Sequence, residues 1–416
     1  MHTIAIVGTH DTKGEEIAYL KALIERRGHR VLTIDTGLLG RPLLEPGISR
    51  EAVAGRCGKT LEEILARKDK SYAIETMTRG AIAVVRELQA SGALQGIIAL
   101  GGGQGTVMGT AVMRSLPFGV PKVMVSAVAN GQATFGPFVG TRDITVLHSV
   151  ADVLGLNSVT RRVIAEGAGA VCGMVEMEVP VEERQRRAIG VTTAGVTTAC
   201  ATTIRRRLED AGFEVVSFHC NGVGAEAMEE LVEEGRIAGV VDLSPKDIPD
   251  LLYGGIMPAY PRRMEPTVRK GIPYLVIPGT VDFILHGPIE RVAPDVLRRK
   301  HVKHNPLHTH VRADRREMAG SGRFIAARLA RGTGPRVVLV PTRGFSQLNV
   351  EGGPLYDPGS DAGFLEGLSA ELALHPDHGV VVRTVPLHIN DPAFGELVAR
   401  EMIALMSDPD GSAGAQ

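Results

Sequence analysis

The run Gly101-Gly102-Gly103-Gln104-Gly105-Thr106 puts glycines at four of its first five positions, ahead of a threonine. Backbone without Cβ atoms can come close to an anion. A helix opening there aims free N–H groups and the positive end of its dipole at that anion. Phosphate binding is the chemistry this predicts, with Gly102, Gly103, Gly105 and Thr106 as the cradle. A tight turn at a sheet edge is the plainer use. A second polar loop, Thr9-His10-Asp11-Thr12-Lys13-Gly14, offers a hydroxyl, a carboxylate for Mg²⁺ and a lysine to neutralise phosphate. Its plainer reading is a helix-capping Asp and a surface Lys.

The second half carries its own candidates. Gly195-Val196-Thr197-Thr198 joins hydroxyls to amides at a predicted helix start and suits a phosphate or carboxylate, or simply caps the helix. His219, Asn221 and Asp282 follow predicted strands, and Arg343 with Ser346 suits an anionic group. His301, His304, His308 and His310 are the densest histidine group. Imidazoles so spaced can bind zinc. No H-E-x-x-H pattern is present and Asn305-Pro306 interrupts any helix, so acid–base work by one of them is preferred to metal binding. His388 and Asn390 are further polar candidates, beside a helix-capping Asp391.

These loops must be held by strands. Apolar runs predict strands at 3–8, 29–35, 96–100 and 122–126, then at 188–193, 213–219, 237–243, 274–278, 337–341 and 380–385. Helical spacing fills most intervals, including 74–88. A further strand is expected within 138–147, a helix over 150–163, and a long irregular connection over 37–60. Alternating strand and helix predicts an α/β protein with mainly parallel sheets. A break in character near 179–187 divides two Rossmann-like domains, 1–183 and 184–408, facing across a cleft, with a flexible tail at 409–416. Ligands in such sheets sit beyond the carboxyl ends of the strands, where the polar loops fall, Ser126 and Asn130 among them.

Composition narrows the function. The chain has 416 residues, a net charge of −1 and no long block of like charge, which argues against nucleic acid and charged membranes. Trp is absent and aromatics are few, so stacking platforms for single strands are not expected. The four cysteines form no C-x-x-C pair and suit a reducing compartment. The chain opens directly on a strand, and no apolar run approaches membrane-spanning length; a cytoplasmic location is expected. Neither a P-loop nor a clean G-x-G-x-x-G pattern occurs.

With these residues in view, the chain resembles, almost end to end, the ATP-binding domain family named after the plant tomato-mosaic resistance protein. The resemblance is carried by Asp11-Thr12-Lys13-Gly14-Glu15, the Gly101–Thr106 loop, Asp152-Val153-Leu154-Gly155-Leu156-Asn157, Gly195–Thr198, Phe218-His219, His304-Asn305-Pro306, Gly344-Phe345-Ser346 and Ile389-Asn390-Asp391-Pro392. It implies two Rossmann-like subdomains, nucleotide binding and a homodimer. The sequence departs from the family's pattern at Cys220–Glu226, where an Arg is lost, and at Tyr260, Thr280-Val281 and Asn349.

The combined expectation is an ATP- and Mg²⁺-using enzyme acting on a small anionic or carbonyl metabolite by phosphoryl transfer or carboxylate activation. His219 or His304 would be the acid–base group, and Asp282 would join them at the second ligand. Two alternatives stand beside it. One is a nucleotide-binding regulatory protein without turnover, and the other a metal-dependent hydrolase or lyase using His301–His310.

Overall fold

The computed structural model describes residues 1–129, 136–180 and 186–407. The expected boundary at 183/184, Asn130 and the tail at 409–416 lie outside the described residues. Contacts divide the chain into two units, Met1–Val181 and Glu182–Gln416.

The first unit runs β1 (Thr3–Gly8), α1 (Gly14–Arg26), β2 (Arg30–Asp35), α2 (Arg50–Gly55), α3 (Leu61–Ala66), α4 (Lys70–Ala90), β3 (Gly96–Gly101), α5 (Gly103–Arg114), β4 (Lys122–Ser126), α6 (Gly136–Val139), β5 (Thr145–His148) and α7 (Ser158–Glu176). Its sheet has the order β2-β1-β3-β4-β5, every pair parallel. The strands are apolar on both faces because helices cover both. Ala5, Val7, Ile97 and Ala99 pack under α2, α3, α4 and α5, while Ile4, Ile6, Ile98 and Leu100 pack under α1 and α7. The chain begins at β1, adds β2 on one side and β3 on the other, so strand order reverses between β1 and β3. That reversal opens a crevice at the carboxyl ends of those two strands.

The second unit repeats this order with an insertion. It runs β6 (Ala188–Thr193), α8 (Thr198–Asp210), β7 (Glu214–His219), α9 (Val223–Glu233), β8 (Gly239–Asp242), α10 (Asp247–Tyr253), α11 (Glu265–Lys270) and β9 (Tyr274–Val276). Then come β10 (Phe283–His286), β11 (His301–Asn305), β12 (His308–Arg312), α12 (Arg315–Leu329), β13 (Arg336–Pro341), α13 (Pro358–Leu372), β14 (Val380–Val385) and α14 (Pro392–Ser407). The main sheet is parallel, in the order β14-β13-β9-β8-β6-β7. An antiparallel sheet, β10-β12-β11, is inserted between β9 and β13.

The expectation of an α/β protein with mainly parallel sheets holds for both units. Three local expectations are corrected. Within the connection expected to be irregular over 37–60, residues 50–55 are helical, with Ser49 accepting from Ala52 N as cap, and a further short helix follows at 61–66, capped by Thr60 through Glu63 N. The strand expected within 138–147 is present as β5 but starts only at Thr145, after the short helix α6 ending at Val139. The helix expected over 150–163 starts only at Ser158, because Val150 and Gly155 have positive φ and Asn157 caps α7 through Val159 N and Thr160 N. Among the described residues no helix is long and apolar enough to cross a membrane.

Candidate functional site

A cavity of about 580 Å³ lies in the first unit, at the carboxyl ends of β1 and β3. Its floor is the glycine loop. The helix after that loop starts earlier than the sequence suggests, inside the glycines, with Gly102 as N-cap and no side chain capping it. The first helical bond is Thr106 N to Gly102 O at 2.8 Å. Among the described residues the N–H groups of Gly103, Gln104 and Gly105 are therefore the donors of the first turn without a helical partner, and all three residues line the cavity. Gly109 lets α5 lie tight against β3, since a Cβ there would stand 2.7 Å from Ala99 Cβ.

Thr106 does not line the cavity. It is fully buried and its hydroxyl meets Ser126 Oγ at 2.7 Å. It anchors the helix start to β4 rather than reaching a ligand.

Both signs of charge line the cavity. Lys13, Lys68 and Lys70 line the cavity together with Asp11, Asp69 and Asp152. Two of these carboxylates are engaged. Asp69 caps α4 by accepting from Tyr72 N at 3.0 Å. Asp11 accepts from Leu39 N at 2.7 Å and sits 3.4 Å from Arg50 Nη1. Asp11, expected to hold Mg²⁺, thus pins the segment after β2, together with Arg50, which also donates to the carbonyls of Leu39 and Gly40. Asp152 is exposed, makes no side-chain hydrogen bond among the described residues, and would be 3.7 Å from a Cβ on Gly102. Lys13 donates to the carbonyl of the next residue, Val153. Thr9 lines the rim and shares a hydrogen bond with Thr12. Leu38, Leu39, Ile64, Leu65 and Met108 give the cavity an apolar wall.

In the second unit the Gly195–Thr198 turn, Ser346 with Asp282, and residues 388–390 come together: Asn390 donates to Val196 O at 2.9 Å, Gln347 N donates to the same carbonyl at 3.0 Å, and His388 Nε2 lies 3.0 Å from Ser346 O. Thr197 is buried against Ser244 Oγ at 2.7 Å, Thr198 donates back to Gly195 O at 2.9 Å, and Gly195 opens a 3₁₀ turn before α8. Asn221, one residue before the Gly222 N-cap of α9, accepts from Gly224 N in that helix's first turn. Ser346 donates to Asp282 Oδ2 at 2.7 Å, and both are fully buried. Burial pushes the Asp282 carboxyl up, with Arg312 opposing. His219 and Arg343 are exposed and, like His304, make no side-chain hydrogen bond among the described residues.

The histidine group lies on the β11–β12 hairpin, where rings stack. His310 is layered between Phe283, at 4.3 Å, and His304, at 4.7 Å. Stacked imidazoles hold their nitrogen lone pairs in parallel planes, not on one point. Among the described residues no three His, Cys, Asp or Glu side chains converge as metal ligands.

Sequence reasoning missed a buried charge network at the end of β8. Arg263, with no exposed side-chain surface, contacts Glu229 at 2.9 Å, Asp242 at 2.7 Å and Asp247 at 3.1 Å. Thr192 and Tyr274 donate to Asp242, and Cys220 to Asp247. Burial raises Glu229 to about 7, against the pull of Arg263. In the cavity itself it missed Thr36, Lys68, Lys70 and Asp152. Thr36 was reachable in principle, as the residue just past a predicted strand.

The two units define a protein of two doubly wound parallel sheets with a ligand-sized crevice in the first. The chain belongs to the uncharacterised protein family UPF0261: residues 2–180 match the family's N-terminal domain and residues 186–406 its C-terminal domain. A UPF0261 protein of Clostridium tetani is 36% identical over 403 residues, 97% of this chain and 98% of that one. The ToMV resistance protein Tm-1(GCR237) of Solanum lycopersicum is 33% identical over 317 residues, covering 75% of this chain and 42% of that protein. A solved C2-type ketoreductase from a modular polyketide synthase aligns over 98% of this chain and 89% of its own, at 16% identity and a TM-score of 0.24. Likeness at that level adds nothing to the reading of the site.

Proposed function

We propose that the first unit binds ATP, with its phosphates on the first turn of α5, and that the protein uses it to phosphorylate or activate a small anionic or carbonyl metabolite. One observation carries this reading: three helical N–H groups, unpaired among the described residues, open into a cavity lined by three lysines as well as three aspartates. A helix N-terminus with nearby cations suits a polyphosphate. The apolar wall suits a base. Of the lining carboxylates, Asp152 fits a Mg²⁺ ligand best, because Asp11 and Asp69 already accept backbone N–H groups. Bound there, the ion would offset phosphate charge, and Lys13 would do the same from the β1 side.

Calorimetric titration with ATP and Mg²⁺ tests this in wild type and Gly103→Ala. A Cβ on Gly103 meets no protein atom within 4 Å, so only a ligand would feel it. The expected result is saturable binding by wild type and a loss of about tenfold or more in the variant. Its thermal stability should be unchanged or raised by up to about 1 kcal/mol, since Ala favours helix over Gly. Equal binding by both proteins contradicts the placement. ATP consumption over a panel of carboxylate, alcohol and carbonyl acceptors then separates an enzyme from a regulatory binder.

A further inference from the structure

Thr36 follows the last residue of β2. Its N–H donates to Gly8 O at 2.9 Å, which holds it beside the end of β1. The residue is 0% exposed, and its hydroxyl has no hydrogen-bond partner among the described residues. Two other partnerless atoms lie in the same corner, His10 Nε2 and Arg50 Nη2. Neither of those residues lines the cavity, whereas Thr36 does. Buried hydroxyls are almost always paired, so this one is arranged for a partner that arrives from the cavity.

The neighbouring carboxylate is closed off. In a doubly wound nucleotide site, an acid near the end of the second strand holds the ribose hydroxyls. Here Asp35 Oδ2 is held by Arg50 Nε at 2.7 Å, and Oδ1 by the N–H groups of His10 at 3.0 Å and Gly37 at 2.8 Å. That leaves the Thr36 hydroxyl as the group this strand end offers. The order β2-β1-β3 sets it two inter-strand spacings, about 10 Å, from the strand that feeds α5. One phosphate cannot touch both places. A nucleotide with its phosphates at α5 carries its ribose hydroxyls about that far away.

We propose that Thr36 reads the sugar: its hydroxyl pairs with the ribose 2′-hydroxyl and makes the site prefer ribonucleotides to 2′-deoxyribonucleotides. This rests on the ATP reading above. The experiment is calorimetric titration of ATP and 2′-deoxyATP, each with Mg²⁺, into wild type, Thr36→Val and Thr36→Ser. Wild type should favour ATP by about tenfold. Thr36→Val should bind both nucleotides with the affinity wild type has for 2′-deoxyATP, and Thr36→Ser should keep the preference. An unchanged preference in Thr36→Val, or equal binding of both nucleotides by wild type, overturns the role of Thr36 and leaves ATP binding standing. Failure of wild type to bind either nucleotide overturns the ATP reading and the sugar reading with it. Should Thr36→Val not fold, the wild-type ratio and its retention in Thr36→Ser decide the matter.

Discussion

The hydroxyls of Thr106 and Ser126 meet at 2.7 Å in full burial, tying the first turn of α5 to the end of β4. The glycine loop can stay without side chains because this contact, one residue further on, sets the helix direction. Thr106→Val keeps the shape and removes the contact, so its effect should fall on stability. A loss of about 1–3 kcal/mol in urea unfolding is expected, the cost of stranding a buried hydroxyl. ATP affinity should change less than in Gly103→Ala. A larger loss of affinity than of stability would mean that Thr106 touches the ligand.

Arg263 is the cation at the centre of three buried carboxylates. Arg263→Met leaves those acids without a counter-charge in a dry environment. Breaking such a network by removing one partner costs about 3–5 kcal/mol. Thermal unfolding should show the second unit strongly destabilised. A near-neutral effect would mean that the acids are held neutral without the arginine.

His310 predicts a pH dependence of known sign. Burial, then the nearby charges of His304, Lys246 and His308, lower its pKa from 6.5 to about 3. Between those values the unfolded chain takes a proton that the folded chain refuses. Stability from this group is therefore complete above pH 6.5 and falls as the pH drops towards 3, by at most about 1.4 kcal/mol per unit. His310→Phe keeps a ring between Phe283 and His304 and should flatten that part of the unfolding profile. An identical slope in the variant would assign it to other groups.

The strands of the two parallel sheets were legible because those sheets are covered on both faces, so nearly every one is a short apolar run; the inserted β10, β11 and β12, rich in histidine and other polar residues, were not predicted. The glycine loop was legible as a loop that opens a helix. Its helix start was misplaced, since Gly103 and Gly105 are poor helix formers and only the β3–α5 packing fixes them. The late start of α7 had a readable signal in Asn157 followed by Thr160, which the apolar spacing of 150–163 outweighed. Lys68 and Lys70 were hidden for a different reason: they reach the cavity only through the turn between α3 and α4. Arg263 gathers acids from α9, β8 and α10, which no local pattern announces.

Nucleotide phosphate on the first turn of α5 would be reported by the glycine amides there. Amide NMR of protein labelled with ¹⁵N-glycine, titrated with ATP and Mg²⁺, tests this placement directly. Gly103 and Gly105 should show the largest shifts, moving downfield as their free N–H groups take up hydrogen bonds. Shifts centred on Gly195, at the corresponding helix start of the second unit, with Gly103 and Gly105 unmoved, would contradict it.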